Sequence, residues 1–554
     1  MTAPATPLGW GSEDRTGDGA RLGEAMTAPV ASPTLDALGG IWREVLRLSR
    51  VSPEDNFFAL GGDSFRATRL AALVGERFGV AATAALAFDR PELAGQARWI
   101  DGARAGDAPL TPLPQAPPSA VPLSTQQEDF LYWMFEPRLH GSQDVRDIGS
   151  CCTAIRIRDE LDVPLLTRAL NALVARHEAL RTVVRPDGTV EIVADRPPQV
   201  AEERAADEAE AGRIVWHERM RLDDVIAGPL VRALVVHIGQ DDDADDHVLV
   251  LAVHHFAFDG FSFGVLLREL ALLYSALSTG HPDPLRPLPI TYTDYCRFAR
   301  EQWPVNQPYW DRVLEGAPTD LSPFPGRRET SRFSRRRHAF EVEPALRDRL
   351  AEIARERGAT TFMAVAACWT WLLAEWTGRT DIVVMSPVPG RTLPEHETLV
   401  GCLVQSLILR FDVSGRPGYA ELLDRVRDVA VGAVAHQLHA YQDARLRVPF
   451  PSRIHYESFG APHFPGLASE PFPFPREQEA LEWSANPGEL DLSAPELIVE
   501  EQRDGSMHCA VVYNHHGYDP ETAAALADAF LRLARAAAGR PDQVLPPLAV
   551  RHAG

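Results

Sequence analysis

Residues 254–260 read H-H-F-A-F-D-G. They close the apolar run V-L-V-L-A-V of residues 248–253 and precede an amphipathic helical stretch. A short unbroken apolar run predicts a buried strand, and the helical spacing beyond it makes the heptad a strand-to-helix turn. Such a turn carries side chains to a place where they meet a reactant rather than a core. Imidazole, with an ordinary pKa near 6.5, exchanges protons around neutral pH, which makes His254 and His255 candidate acid–base groups. Asp259 is suited to fixing the loop, and Gly260 permits a tight turn.

Working outward, the 554 residues suffice for three to four domain-sized units. The formal net charge of -22 argues against nucleic acid and against an anionic membrane surface as partners. All 55 basic residues are Arg, which excludes a phosphate loop ending in Gly-Lys and any Schiff-base lysine. The cysteines at 151, 152, 296, 368, 402 and 509 form no C-x-x-C pair, so no structural zinc and no metal site is expected. With no signal peptide and no run of 18 apolar residues, the expected location is cytoplasmic, with reduced thiols.

The fold class expected is α/β, with a small helical domain followed by a long alternation of helices and strands. Residues 1–33 read as disordered, 34–100 as the small helical domain and 101–120 as a Pro/Ala-rich linker. Residues 121–554 then alternate helices and strands. In the small domain Leu35, Leu38, Trp42 and Val45 recur at helical spacing, with Thr34 as N-cap. Later helices are expected at 163–177, 263–277, 343–357, 360–376, 418–436 and 520–538. Strands are expected at 152–157, 229–238, 247–255, 380–386, 405–412, 494–501 and 507–513. The acidic 241–246 reads as an exposed hairpin tip, and the Arg-rich 327–337 as a solvated connection between lobes.

Ser64 follows two glycines in F-F-A-L-G-G-D-S-F and sits where a helix should begin. It is either a capping serine or a modified one, whose phosphate would meet the positive end of a helix dipole. The wider stretch D-N-F-F-A-L-G-G-D-S-F, with A-F-D-R-P-E-L near residue 90, resembles the attachment motif of peptidyl carrier domains of non-ribosomal peptide synthetases. That resemblance implies 4′-phosphopantetheine on Ser64.

Residues 121–545 in turn resemble the condensation domain of the same synthetases. The carrying motifs are P-L-S-T-Q-Q (122–127), A-R-H-E-A-L-R-T (175–182), V-H-H-F-A-F-D-G-F-S (253–262), Y-T-D-Y (292–295), S-P-V-P-G-R (386–391) and V-G-C-L-V-Q-S (400–406). The resemblances imply a small four-helix carrier domain followed by two chloramphenicol-acetyltransferase-like lobes, 121–290 and 291–554, with the site in a tunnel between them. It implies that His255 is catalytic, that His254 supports the loop, and that Gly260 brings backbone to the reacting centre. Asp259 would hold the loop by an ion pair with Arg391.

The chemistry this implies is acyl transfer from a carrier thioester to an amine or alcohol. Aminolysis needs a neutral amine and relief of charge on an oxyanion. Ser262 is the one nucleophilic side chain near the motif in sequence, and loop support is its expected role, so direct attack without an acyl-enzyme is favoured. His515 and His516 mimic the motif with the wrong Asp spacing. His177 and Arg181 read as structural. Gln405 replaces the family's usual Asn, and the final motifs near 441–456 match loosely. Two alternatives stay open: a carrier–epimerisation didomain, suggested by Asp63 before Ser64 but lacking the E-G-H-G-R-E motif, and a non-catalytic recruitment platform. The partners implied are a phosphopantetheinyl transferase, a trans-acting adenylation enzyme or upstream synthetase, and a soluble amine or alcohol or a separate acceptor carrier. A diffusible nucleophile is preferred.

Overall fold

In the first helix, α1 (Pro33–Leu46), the residues Leu38, Ile41, Trp42 and Val45 fall on one buried stripe. It packs with α2 (Ser64–Phe78), α3 (Ala85–Asp89) and α4 (Leu93–Ala103) around Trp42, Phe57, Phe58 and Phe88. Trp42 and Phe57 meet edge to face at 5.2 Å, and the Trp42 indole donates to Gln96 at 2.9 Å. Thr34 is not the cap of α1: the helix already includes Pro33, and the Thr34 hydroxyl donates to Asp101 at 2.5 Å. Because α4 continues to Ala103, the first three residues of the expected linker are helical.

This is a computed structural model, and it describes residues 33–80, 82, 84–103, 121–135, 150–219, 221, 225–226, 228–239, 245–318, 327–328, 333–439, 452–457, 463–473, 481–483, 494–502 and 504–547. The expectations for 1–32, 104–120, 241–244 and 441–451 lie outside the described residues. Asp246, at the edge of the acidic run, holds Arg156 through two hydrogen bonds of 2.8 and 2.7 Å.

The first lobe contains α5 (Thr125–Phe135), β1 (Ser150–Ile157), α6 (Val163–Arg176), the hairpin β2 (Thr182–Val184) and β3 (Val190–Ile192), β4 (Gln199–Ala205), α7 (Glu208–Arg219), β5 (Val231–Ile238), β6 (His247–His254) and α8 (Ser262–Thr279). Every residue of β6 is buried. On one face of the sheet Leu249, Leu251 and Val253 pack on Leu166, Leu170 and Leu266 of α6 and α8. On the other, Val248 and Val250 pack on Ala211 and Val215 of α7. Burial on both faces explains why this strand reads as a continuous apolar run.

The second lobe contains α9 (Tyr292–Leu314), β7 (Phe333–Val342), α10 (Pro344–Glu356), α11 (Thr361–Thr377), the paired β8 (Asp381–Val388) and β9 (Gln405–Asp412), α12 (Tyr419–Ala435), β10 (Ile454–Glu457), β11 (Ser469–Pro471), β12 (Leu481–Trp483), β13 (Glu496–Glu501), β14 (Met507–Asn514) and α13 (Pro520–Gly539). Its sheet runs β10-β13-β14-β7-β12, and the first lobe's runs β11-β1-β6-β5-β4. The two lobes are therefore not consecutive in sequence: β11 crosses back and pairs antiparallel with β1, Ile155 opposite Pro471. A second departure concerns the Arg-rich stretch. Arg335–Arg337 belong to β7, in register with Asn514, Tyr513 and Val512 of β14, so this part is a sheet strand rather than a solvated connection.

The small domain lies against the second lobe. Its core and that of the lobe are one continuous apolar cluster, and Arg69 on α2 pairs with Glu397 at 3.0 Å and with Glu44 at 3.1 Å.

Candidate active site

Strand β6 ends at His254, and His255–Ala257 form a single 3-10 turn before α8. His254 is fully buried, and its Nδ1 accepts from the Phe256 N–H at 3.1 Å, so the imidazole caps the turn. Burial, helped by the neighbouring His255, pushes its pKa down to about 3, which keeps the ring neutral. His255 faces the other way and lines a cavity of ≈ 2070 Å³. Its Nδ1 lies 2.8 Å from the Phe258 carbonyl oxygen. A carbonyl only accepts, so Nδ1 carries a hydrogen and Nε2 is the ring nitrogen left to exchange a proton. The Phe130 ring stands edge-on to the imidazole at 5.2 Å, and Gln127 of the first motif donates to the Phe256 carbonyl at 2.9 Å.

Asp259 and Arg391 form a bidentate pair, Nη1 to Oδ2 at 3.0 Å and Nη2 to Oδ1 at 3.1 Å, with side chains 1% and 3% exposed. The remaining lone pairs of Asp259 accept from the Ser262, Leu403 and Val404 N–H groups and from the Ser262 hydroxyl, at 2.9–3.1 Å. With both oxygens engaged, this carboxylate ties the histidine loop to segment 399–404 of the other lobe. Ser262 bridges the same two segments: its hydroxyl, donating to Asp259, accepts from the Arg391 guanidinium at 3.0 Å and from the Gly401 N–H at 3.2 Å.

Gly260 lines the cavity, yet its φ lies outside the left-handed region. The turn therefore does not require glycine for its backbone, and what the residue provides is a wall without a side chain. At the carrier end the correction concerns Ser64. The N-cap of α2 is Asp63, whose carboxylate accepts from the Arg66 N–H at 2.7 Å, and Ser64 is the first helical residue. That disposes of the capping reading of Ser64. Gly61, Gly62, Asp63 and Arg66 around it line the same cavity as His255. The N-terminus of α2 and the Arg66 guanidinium give this part of the cavity wall the chemistry that a phosphate group needs.

Sequence reasoning missed two side chains. The Cys151 sulfur on β1 lies 3.9 Å from the Phe258 carbonyl oxygen that holds His255 Nδ1, and Cys402 in V-G-C-L-V belongs to the electrostatic surroundings of the imidazole, although they lie about 100 and 150 positions away. Burial works to lower the His255 pKa, and the two sulfurs, when ionised, more than offset it and carry it well above the imidazole range. Burial in turn pushes the Cys402 thiol up to about 11, with His255 opposing the shift. The only clue in the sequence was that each cysteine sits beside a motif or strand that the fold brings to the histidine turn.

The other candidates are structural. His177 is buried, its Nε2 2.8 Å from Glu269, and Arg181 donates to the Val193 carbonyl. His515 and His516 lie in the turn after β14 and do not line the cavity. Gln405 donates to the Leu403 carbonyl at 3.2 Å. Among the described residues no His, Cys, Asp and Glu group could hold a metal, and no helix is long and apolar enough to cross a membrane.

A buried strand that presents histidine to an interlobe cavity, with a carrier-like helix bundle at its mouth, defines a two-lobed acyltransferase architecture. Known proteins share it. The condensation-domain family matches residues 148–549 and the phosphopantetheine attachment site matches 36–100. The chain belongs to this family, as a carrier–condensation didomain of the non-ribosomal peptide synthetase type. It is 30% identical over 570 residues to a linear gramicidin synthase of Brevibacillus parabrevis, covering 96% of this chain and 7% of that one. It is 31% identical over 536 residues to a dimodular nonribosomal peptide synthase of Bacillus subtilis, covering 92% of this chain and 22% of that one. The chain thus spans under a quarter of either relative. Among solved structures, the SgcC5 protein of Streptomyces globisporus superposes with a TM-score of 0.63 at 26% identity, over 76% of this chain and 100% of that one. The X-domain from teicoplanin biosynthesis shares the fold, with a TM-score of 0.64 at 23% identity, over 78% of this chain and 99% of that one.

Proposed function

We propose that this chain transfers an acyl group from its own carrier to an amine or alcohol, forming an amide or ester, with Ser64 as attachment point and His255 as the group at the reacting centre. The observation that carries the reading is the shared cavity, which reaches from the Gly61–Asp63 loop to His255. When bound, the phosphopantetheine supplies a thioester on a flexible arm. The chain's residues do the rest. Phe258 O fixes the His255 tautomer, so that Nε2 takes a proton from the attacking nucleophile or supports the tetrahedral intermediate. Asp259, Arg391 and Ser262 hold the two lobes in register around that nitrogen. Gly260 leaves room at the wall.

The carrier docks on the donor side in cis. Arg69 and Glu397 anchor it, and Glu397 lies on the short turn that follows Arg391. The partners under this reading are a phosphopantetheinyl transferase, an enzyme or upstream module that loads the arm, and an acceptor that is a diffusible nucleophile or one tethered to a second carrier. Intact-mass analysis tests it. A holo chain acylated on Ser64 is offered the same amine free and carrier-bound. Loss of the acyl group with formation of amide is expected. Inversion of the acyl stereocentre without transfer would establish epimerisation instead, and an acyl carrier unchanged with both acceptors would favour the platform.

A further inference from the structure

Four consecutive residues of β1, Ser150, Cys151, Cys152 and Thr153, line the cavity. Side chains of a strand alternate between the faces of the sheet, so a wall made of consecutive residues is the strand's edge, its main chain. The bonding pattern shows which groups lie on that edge. The His254 N–H donates to the Leu230 carbonyl at 2.9 Å, which turns the even-numbered residues of β6 toward β5. Val253 and Leu251 therefore face β1 and hold Cys151 and Thr153, their register partners. Cys152 and Ala154 point their main-chain groups the other way. Strand β11 covers this outer edge only at its far end: Arg156 lies opposite Glu470, and the Phe472 N–H donates to the Ala154 carbonyl at 3.0 Å. There the ladder stops. Toward the cavity, the N–H and carbonyl of Cys152 have no partner among the described residues. Pro387, Pro389, Pro471 and Pro473 on the same walls have no N–H to offer a ligand.

We propose that the free edge of β1 at Cys152 is a main-chain docking site, on which the acyl group carried by Ser64 lies as an added strand. Three observations support this occupant. The cavity that the edge lines also reaches the Gly61–Asp63 loop beside Ser64. The edge starts next to the reacting centre, because Ser150 lies opposite His254, the residue before His255. An added strand there continues the line of β11, which already pairs with the other half of the same edge. An extended chain advances about 3.3 Å per residue, so an acyl group with its thioester carbon at His255 brings an amide to Cys152 within about two to three residues. Main-chain pairing reads amide bonds and not side chains. The site therefore favours a peptidyl group over a single short acyl group and is indifferent to the peptide's sequence. It rests on the proposed function for the identity of its occupant, so its test reads occupancy without any transfer.

The full chain is given an arm on Ser64 that ends in an amine instead of a thiol, so that its acyl group is a stable amide. Three acyl groups are compared: acetyl, N-acetyl-trialanyl, and the same tripeptide with every amide nitrogen methylated. Hydrogen–deuterium exchange is followed in peptides that cover 150–154. With N-acetyl-trialanyl, exchange at Cys152 should slow by about tenfold relative to acetyl, the scale of one net hydrogen bond. The methylated tripeptide should leave it at the acetyl rate. Equal exchange with all three groups would overturn the proposal. So would equal slowing by the methylated tripeptide, because coverage rather than pairing would then explain it. Slowing already complete with the unacylated arm would put the arm's own amides on the edge and overturn it as well. Slowing by the tripeptide in a chain whose thioester-linked forms transfer nothing to an amine would leave the docking site standing and refute the transfer reading instead.

Discussion

Arg391 grips Asp259 through both guanidinium nitrogens across 132 positions of sequence, and the pair joins the histidine turn of one lobe to the 399–404 segment of the other. Both side chains are almost wholly withdrawn from solvent. Replacing Arg391 with Ala leaves a buried carboxylate without its counter-charge, which typically costs about 3–5 kcal/mol. Arg391→Lys keeps the charge and loses the fork, so it should fall between wild type and Ala. Chemical denaturation checks the order. An Ala variant as stable as wild type would show that the backbone N–H donors alone hold Asp259.

His255→Ala should cut acyl transfer by roughly 10²–10⁴-fold, the usual scale of a lost acid–base group, while loading of the carrier is unchanged. His254→Ala should chiefly lower stability, because it opens a cavity and frees the Phe256 N–H. Transfer rate and melting temperature measured on both variants separate the roles. The opposite pattern would reverse them.

Burial holds His254 and His396 at about 3, well under the ordinary value of about 6.5. As pH falls through about 6.5 the unfolded chain protonates these rings and the folded chain does not. Their contribution is therefore complete above that pH and declines toward pH 3. The melting temperature should drop steadily from pH 7 to pH 4, and a flat profile would count against neutral buried imidazoles.

Arg69 and Glu397 are part-exposed, so their pair is worth at most about 1 kcal/mol. Burial raises the Glu397 pKa, and Arg69 opposes the shift. Glu397→Gln should slow transfer from the chain's own carrier by up to about fivefold. Transfer from a soluble acyl-pantetheine thioester, which needs no docking, should be unaffected. Equal slowing of both donors would place the defect in the chemistry rather than in docking.

Most helices and inner strands were legible because their burial is periodic or complete. The stretch 520–538 is α13 nearly residue for residue, and 405–412 is β9. The strand β7 was hidden because Arg335–Arg337 give it no apolar alternation at its start, their place in the sheet being fixed by pairing with β14. Helix α9 was hidden behind Pro304 and Pro308, which break the sequence signal while the helix continues. At the site, His255, Asp259 and Arg391 could be read because each sits in a motif. Cys151 and Cys402 could not, since their approach to His255 depends on strand register and on closure of the two lobes. The cap of α2 falls one residue earlier than expected, because Asp63 and Ser64 are both good N-cap types and only backbone geometry chooses between them.

Delivery in cis, from Ser64 to His255 of the same chain, is tested most directly by complementation. A Ser64→Ala chain, with an intact transfer centre and no arm, is mixed at low concentration with a His255→Ala chain acylated on Ser64, and amide formation is followed by intact mass. Far less product than from wild type at the same concentration is predicted, because each arm serves the cavity its own carrier lines. Product at the wild-type rate from the mixture would contradict it.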